Sequence, residues 1–291
     1  MTPTVVTAAI LTLAAGAAQA QEVMTPERLW QLRRAAAPVA SPTGRDVAFT
    51  ISEFDVRQNS SRTNLYVLPA EGSAAPRRIT DLAAVSAPRW RPDGRRIGFL
   101  ATQDRETQLW EVTPEGRGLR QVSRVEGGIA NFRYSPAGTH VSFTRRVQVD
   151  PTTAQVYPDL PSANARLIDT LMYRHWDRWH DGRYSHLFVA EYRDGTLGDP
   201  RALMAADARY DTPLAPFGGV EQIDWSPDGT RLAYTAKKVA GVDAAASTNS
   251  DIYLYSLATG ETMNLTEGNA GYDVEPVFSR DGRYVTWLSM E

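Results

Sequence analysis

The chain has 291 residues, 42% of them hydrophobic and 22% charged, a globular composition that excludes wholesale disorder and collagen-like repeats. Its net charge of −3 offers no basic field of the kind nucleic acid requires. It contains no cysteine, which removes disulfides, cysteine nucleophiles, thiolate metal sites and a lipid-modified N-terminal cysteine.

Residues 1–20 carry no charged side chain, and the apolar run from Val5 to Ala15 leads to Ala18-Gln19-Ala20. An apolar core followed by a small-x-small site predicts a secretory signal peptide, cleaved after Ala20, and a periplasmic or secreted protein. No later stretch is apolar for long enough to span a bilayer, so no membrane span is expected after cleavage. Residues 21–37 are expected to form an N-terminal helical segment with a helix over 24–37. Thr25 would cap it, Pro26 suits its first position, and Leu29, Trp30 and Leu32 give it an apolar side.

Residues 38–291 repeat one turn word five times: Ser41-Pro42-Thr43-Gly44, Arg91-Pro92-Asp93-Gly94, Ser135-Pro136-Ala137-Gly138, Ser226-Pro227-Asp228-Gly229 and Ser279-Arg280-Asp281-Gly282. The residue before it is Ala40, Trp90, Tyr134, Trp225 or Phe278, and an alternating apolar run follows each copy. Proline presets an early turn position and glycine takes the positive-φ one, so each word joins two strands. Third strands are expected at 65–68, 109–112, 187–190 and 252–255, and fourth strands at 78–80, 121–123 and 264–266. The glycines lie 50, 44, 91 and 53 residues apart, three of the intervals fitting about 40–50 residues per propeller blade. The fold expected is therefore all-β, a β-propeller of four-stranded blades with about four and a half present and the ring incomplete. An open ring leaves an unpaired strand edge, so the chain is expected to be the front part of a longer protein and to fold poorly alone.

The long interval places an insertion at 145–186, between the second and third strands of the third blade. It holds His175, His180 and His186 together with Trp176 and Trp179. Asp177 and Asp181 are the candidate carboxylates for holding a cationic substrate group, with Trp176 and Trp179 as walls. Packing of the insertion onto its blade by the two tryptophans is the competing reading, and a turn role competes for Asp181. His175, His180 and Asp177 have no recognised metal-ligand spacing, and neither metal nor cofactor is expected. No Gly-x-Ser-x-Gly elbow, phosphate-cradling glycine loop or dinucleotide fingerprint occurs, and no catalytic residue is assigned. The arginine pairs 33–34, 77–78, 95–96 and 145–146 read as solvated surface.

Met24-Thr25-Pro26-Glu27-Arg28-Leu29-Trp30 followed by Ser41-Pro42-Thr43-Gly44 resembles the opening of bacterial prolyl-oligopeptidase (S9) serine peptidases. Tyr173-Arg174-His175-Trp176-Asp177-Arg178-Trp179, then Asp181-Gly182 and Ser185-His186-Leu187-Phe188-Val189, resembles the dipeptidyl-peptidase 5 and acylaminoacyl-peptidase-like branch. That resemblance implies a propeller that gates substrate access to a C-terminal α/β-hydrolase domain, absent from this chain, whose Ser-Asp-His triad cuts oligopeptides. The partners implied are short peptides, that hydrolase domain and, in the full-length protein, a second copy. Two other classes stay open. One is a non-catalytic propeller of the TolB kind that binds a protein, since Pro-Asp-Gly repeats occur there too. The other is a propeller glycosidase or lyase.

Overall fold

The computed structural model describes residues 23–290; the signal peptide expected at 1–20 lies outside them. Among the described residues five antiparallel blade sheets follow one another along the chain, and a sixth sheet of two short strands lies within the third blade's insertion. Blade 1 is built from Arg34–Ala40, Asp46–Asp55, Ser60–Pro69 and Arg77–Arg78, paired in that order. Blade 2 comprises Val85–Trp90, Ile97–Gln103, Glu106–Val112 and Arg120–Gln121. Blade 3 comprises Ala130–Tyr134, His140–Gln148, Arg183–Arg193 and Arg201–Ala202, with Thr196–Leu197 adding a short extra strand. Blade 4 holds Ile223–Trp225, Arg231–Ala236, Asp251–Ser256 and Thr262–Asn264, and blade 5 holds Tyr272–Phe278 and Val285–Met290. The propeller expectation thus holds, with four complete blades and half of a fifth.

All five turn words form the same turn. The fourth residue's N–H donates to the carbonyl of the first at 2.8–2.9 Å, and its glycine sits at φ between 67° and 70°. A β-carbon on Gly94, Gly138, Gly229 or Gly282 would lie 3.5–3.9 Å from the proline ring of the preceding word, so successive turns abut. The aromatic residue ahead of the word reaches back to the previous blade. Trp90 Nε1 donates to the Val39 carbonyl at 3.0 Å, Tyr134 Oη to Glu111 at 2.8 Å and Trp225 Nε1 to Ser142 Oγ at 3.0 Å. Three apolar cores fill the seams between successive blades, centred on Phe99 and Leu65, on Phe132 and Phe143, and on Leu232 and Leu187. Burying one such side chain is worth about 1.5–3 kcal/mol, so the seams hold the blades together.

Two expectations are corrected. The N-terminal helix is Pro26–Gln31 rather than 24–37; Thr25 caps it, accepting from the Arg28 N–H at 3.3 Å. Arg34–Ala40 forms the innermost strand of blade 1, because Pro38 bars helical backbone at Ala37 and pairing with residues 47–52 satisfies the strand's polar groups. The insertion is shorter than 145–186. The second strand runs on to Gln148 and the third begins at Arg183, with Arg145↔His186, Val147↔Tyr184 and Gln148↔Arg183 in register. No helix among the described residues is long and apolar enough to cross a membrane.

One regularity was not anticipated. The innermost strands of blades 1, 2, 3 and 5 each break register beside a non-glycine residue at positive φ: Ala37, Ala87, Asn131 and Glu275. Each stands five residues before the second position of its turn word. Such bulges sharpen the local twist, and their repetition gives these four inner strands the same bend.

Candidate functional site

The loops joining second to third strands, and the connections between blades, lie on one face. There each connection is pinned to the start of the previous third strand: Ile129 N–H donates to the Thr107 carbonyl at 2.8 Å, and Thr212 N–H to that of Ser185 at 2.8 Å. At the first crossing a β-carbon on Gly128 would stand 2.9 Å from the Thr107 oxygen, so the chain must be glycine there. Over this face the insertion encloses a cleft of about 1640 Å³. Its floor comes from blades 2 and 3, its far wall from the 209–218 connection, and its roof from residues 163–182.

The roof carries a small hairpin in which Arg174–His175 pairs with Arg178–Trp179. Trp176 and Asp177 form its tip, with Trp176 at φ +55°. Trp179 stacks on Tyr173 with ring centres 5.9 Å apart, and the guanidiniums of Arg166 and Arg174 stand 5.4 and 5.6 Å from its ring. Trp176, 72% exposed, meets the edge of Phe217 at 5.4 Å, so the tip touches the opposite wall rather than its own blade. Asp177 is open to solvent, with the Arg178 guanidinium 4.0 Å away.

Asp181 belongs to the hinge of the insertion, not to its tip. Its carboxylate accepts from Arg146 at 2.7 Å and from the Arg183 N–H at 3.1 Å. Gly182 (φ +75°) accepts on its carbonyl from the Val149 and Asp150 N–H groups at 2.9 and 3.0 Å, closing the neck. A side chain there would collide with Gln148 and the Asp150 carbonyl. Asp150 accepts from Arg209 at 2.7 Å and from the Tyr184 hydroxyl at 3.1 Å; burial, helped by that carboxylate, pushes the Tyr184 phenol up. Asp211 accepts from the Ser185 N–H at 2.6 Å, and burial raises its carboxyl although that bond and Arg146 pull it down.

The structure therefore brings Trp176, Asp177 and Trp179 together on one hairpin and places Asp181 at its base. His186, at the end of the expected insertion, is buried in the third strand with Nε2 2.8 Å from the Ala208 carbonyl. Sequence reasoning passed over Asp150, Asp211, Phe217 and the pair Arg145–Arg146. The last two are not mere solvated surface. Arg145 lies over the Phe188 ring at 4.8 Å and Arg146 bonds Asp181 from the other face of the strand. Strand alternation was the signal that could have separated them.

No family model matches the chain. Dipeptidyl-peptidase 5 of Porphyromonas gingivalis is 38% identical over 292 residues, an alignment covering 100% of this chain and 42% of that protein. Among solved structures, an acylaminoacyl peptidase in complex with Z-Gly-Gly-Phe-chloromethyl ketone superposes with a TM-score of 0.61 at 14% identity, covering 84% of this chain and 34% of the other. The β-propeller domain of the Trilobed protease from Pyrococcus furiosus gives a TM-score of 0.52 at 14% identity, covering 88% and 65%. The chain is thus similar in sequence to the N-terminal part of dipeptidyl-peptidase 5 and in fold to the propeller domains of S9 peptidases, and it spans less than half the length of the curated relatives it matches.

Proposed function

We propose that this chain is the substrate-gating propeller of an exported S9-type serine exopeptidase that releases dipeptides or acyl-amino acids from oligopeptides. The observation that carries the reading is the sequence match along the whole chain to dipeptidyl-peptidase 5. The cleft supports it: about 1640 Å³ exceeds the roughly 300–1,000 Å³ of small-molecule pockets and suits a peptide. In such an enzyme a serine of the hydrolase domain attacks the scissile carbonyl, a histidine takes its proton and backbone N–H groups hold the oxyanion. The propeller's share is to admit short peptides and hold them in register.

Asp177 is the group for the substrate's α-ammonium, being exposed and fixed at a hairpin tip between Trp176 and Trp179. Asp181 serves the same peptide indirectly, by anchoring the neck through Arg146. The test is to express the full-length protein and assay dipeptidyl and acyl-aminoacyl chromogenic substrates with and without a serine-directed phosphonate. Phosphonate-sensitive release is expected; absence of turnover on both substrate types would refute the reading and leave a binding propeller. Asp177→Asn should raise KM for substrates with a free amine about tenfold, the size of one charge-assisted hydrogen bond, with little effect on N-acylated ones. Equal effects on both would remove Asp177 from that role.

A further inference from the structure

The chain carries a net charge of −3, yet the cleft is lined by seven arginines and one lysine against five aspartates. The cleft therefore opposes the sign of the molecule around it. Four of its five carboxylates already have partners: Asp181 is held by Arg146, Asp150 by Arg209 and Tyr184, Asp211 by the Ser185 N–H, and Asp177 stands 4.0 Å from the Arg178 guanidinium. Among the described residues Arg105, Arg145, Arg166 and Arg183 enter no ion pair.

Two buried donors in this lining have no acceptor among the described residues, Arg145 Nε and His180 Nε2. The histidine's role is fixed by its neighbour. Gly182 N–H donates to His180 Nδ1 at 3.2 Å, so Nδ1 is the acceptor and Nε2 carries the proton. Arg145 and Tyr184 project from the same face of blade 3, since Arg145 pairs with His186 and Val147 with Tyr184. The His180 ring lies 4.7 Å from that of Tyr184. The two donors thus stand along one wall, on the insertion's neck and on the strand below it. Leaving a buried donor unpaired costs about 1–3 kcal/mol, and a ligand that supplies acceptors recovers that cost on binding.

We infer that this wall is a carboxylate subsite, in which Arg145 and His180 Nε2–H receive the anionic end of the bound peptide. The inference rests on the peptidase reading and adds to it a recognition of the end opposite to the amine. A peptide held at Asp177 by its ammonium and at Arg145 by its carboxylate is selected for length, because one charge is fixed on the insertion and the other on the strand below its neck. Arginine is suited to this position, since its fork grips a carboxylate bidentately and its weak hydration lets it sit over Phe188.

The experiment uses the full-length protein and three matched peptides: an unblocked tetrapeptide acid, its C-terminal amide, and the amide with glutamate as its last residue. Dipeptidyl-p-nitroanilide, which has no carboxylate, is assayed in parallel. The wild type is expected to favour the acid over the amide about tenfold or more in kcat/KM. Arg145→Gln should bring that ratio to within about threefold of unity, and Arg145→Lys should leave it between the two. Arg193→Gln, on the far end of the third strand, should keep the wild-type ratio. Recovery of rate by the glutamyl amide would also support the subsite and show that a side-chain carboxylate serves. Equal rates on acid and amide, with nitroanilide turnover intact, would overturn the inference and leave the peptidase reading standing. No turnover of any substrate would overturn the peptidase reading and the inference with it. The wild-type ratio decides the matter even if the Arg145 variants do not fold.

Discussion

Replacing Glu111 by alanine should destabilise the propeller by about 3 kcal/mol or more, lowering the unfolding midpoint by roughly 6–12 °C. Glu111 is fully buried between blades 2 and 3. One of its oxygens accepts from the hydroxyls of Tyr134 at 2.8 Å and Tyr192 at 2.5 Å, the other from Arg120 at 2.8 Å. Arg91 extends the network, donating to Tyr192 Oη at 3.2 Å and to Asp93 at 2.6 Å, and Arg120 also reaches Asp194 at 3.3 Å. Alanine would leave two buried hydroxyls and a partly buried guanidinium without their acceptor, each at a cost of about 1–3 kcal/mol. The same network explains Gly98, whose β-carbon would fall on the Tyr134 hydroxyl. Gly98→Ala should cost about 1–3 kcal/mol, less than additively with Glu111→Ala because both displace Tyr134. Thermal unfolding of the two single variants and the double variant measures this. A loss under about 1 kcal/mol for Glu111→Ala would show that the network contributes no net stability.

Alkali should unfold the molecule in one steep step above pH 10. Burial raises the phenols of Tyr134, Tyr184, Tyr192, Tyr210, Tyr234 and Tyr253 above the usual 10.0, with Glu111 adding to the effect on Tyr134 and Asp251 to that on Tyr253. A raised acid favours the protonated folded state. The stabilisation is complete below pH 10 and is lost as pH climbs, because the unfolded chain ionises first. Each such phenol contributes at most about 1.4 kcal/mol per pH unit. Tyr134 and Tyr234 approach that limit, while the partly exposed Tyr184 and Tyr210 fall short of it through solvent screening. Phenolate absorbance and circular dichroism should therefore change together between about pH 10 and 12. A gradual phenolate titration near 10 with the sheet signal intact would contradict the burial of these rings.

The blades were legible because their signal is local. Ser-Pro-Asp-Gly is both word and turn, and the second and third strands beside it alternate in the sequence as they do in the sheet. The helix was overread because alanines at 35–37 favour it locally, while the pairing that makes them strand lies on residues 47–52. Bulges at Ala37, Ala87 and Glu275 did leave a trace, a proline immediately after each, though Asn131 lacks one. Glu111 could not be singled out, since its partners stand at 120, 134 and 192 and meet only when blades 2 and 3 pack. In the site, Trp176 and Asp177 were picked out by composition, yet their hairpin was illegible: a two-residue turn ordinarily announces itself with Asn-Gly or Asp-Gly, and here a tryptophan takes the positive φ. Arg145 and His180 emerge only once the strands are known to continue beyond the expected insertion boundaries.

Because each turn word rests on the proline of the word before it, the blades share their frame of reference only with immediate neighbours. A length change on the opposite face leaves that ladder untouched. Blade 3 takes in residues 149–182 between two of its strands, yet Gly229 of the next blade still meets Pro136 as Gly138 meets Pro92. The architecture behaves like a ruled page on which any single line can carry a margin note. New recognition chemistry can be written at one blade by lengthening one loop, while the geometry of the other blades stays as it was.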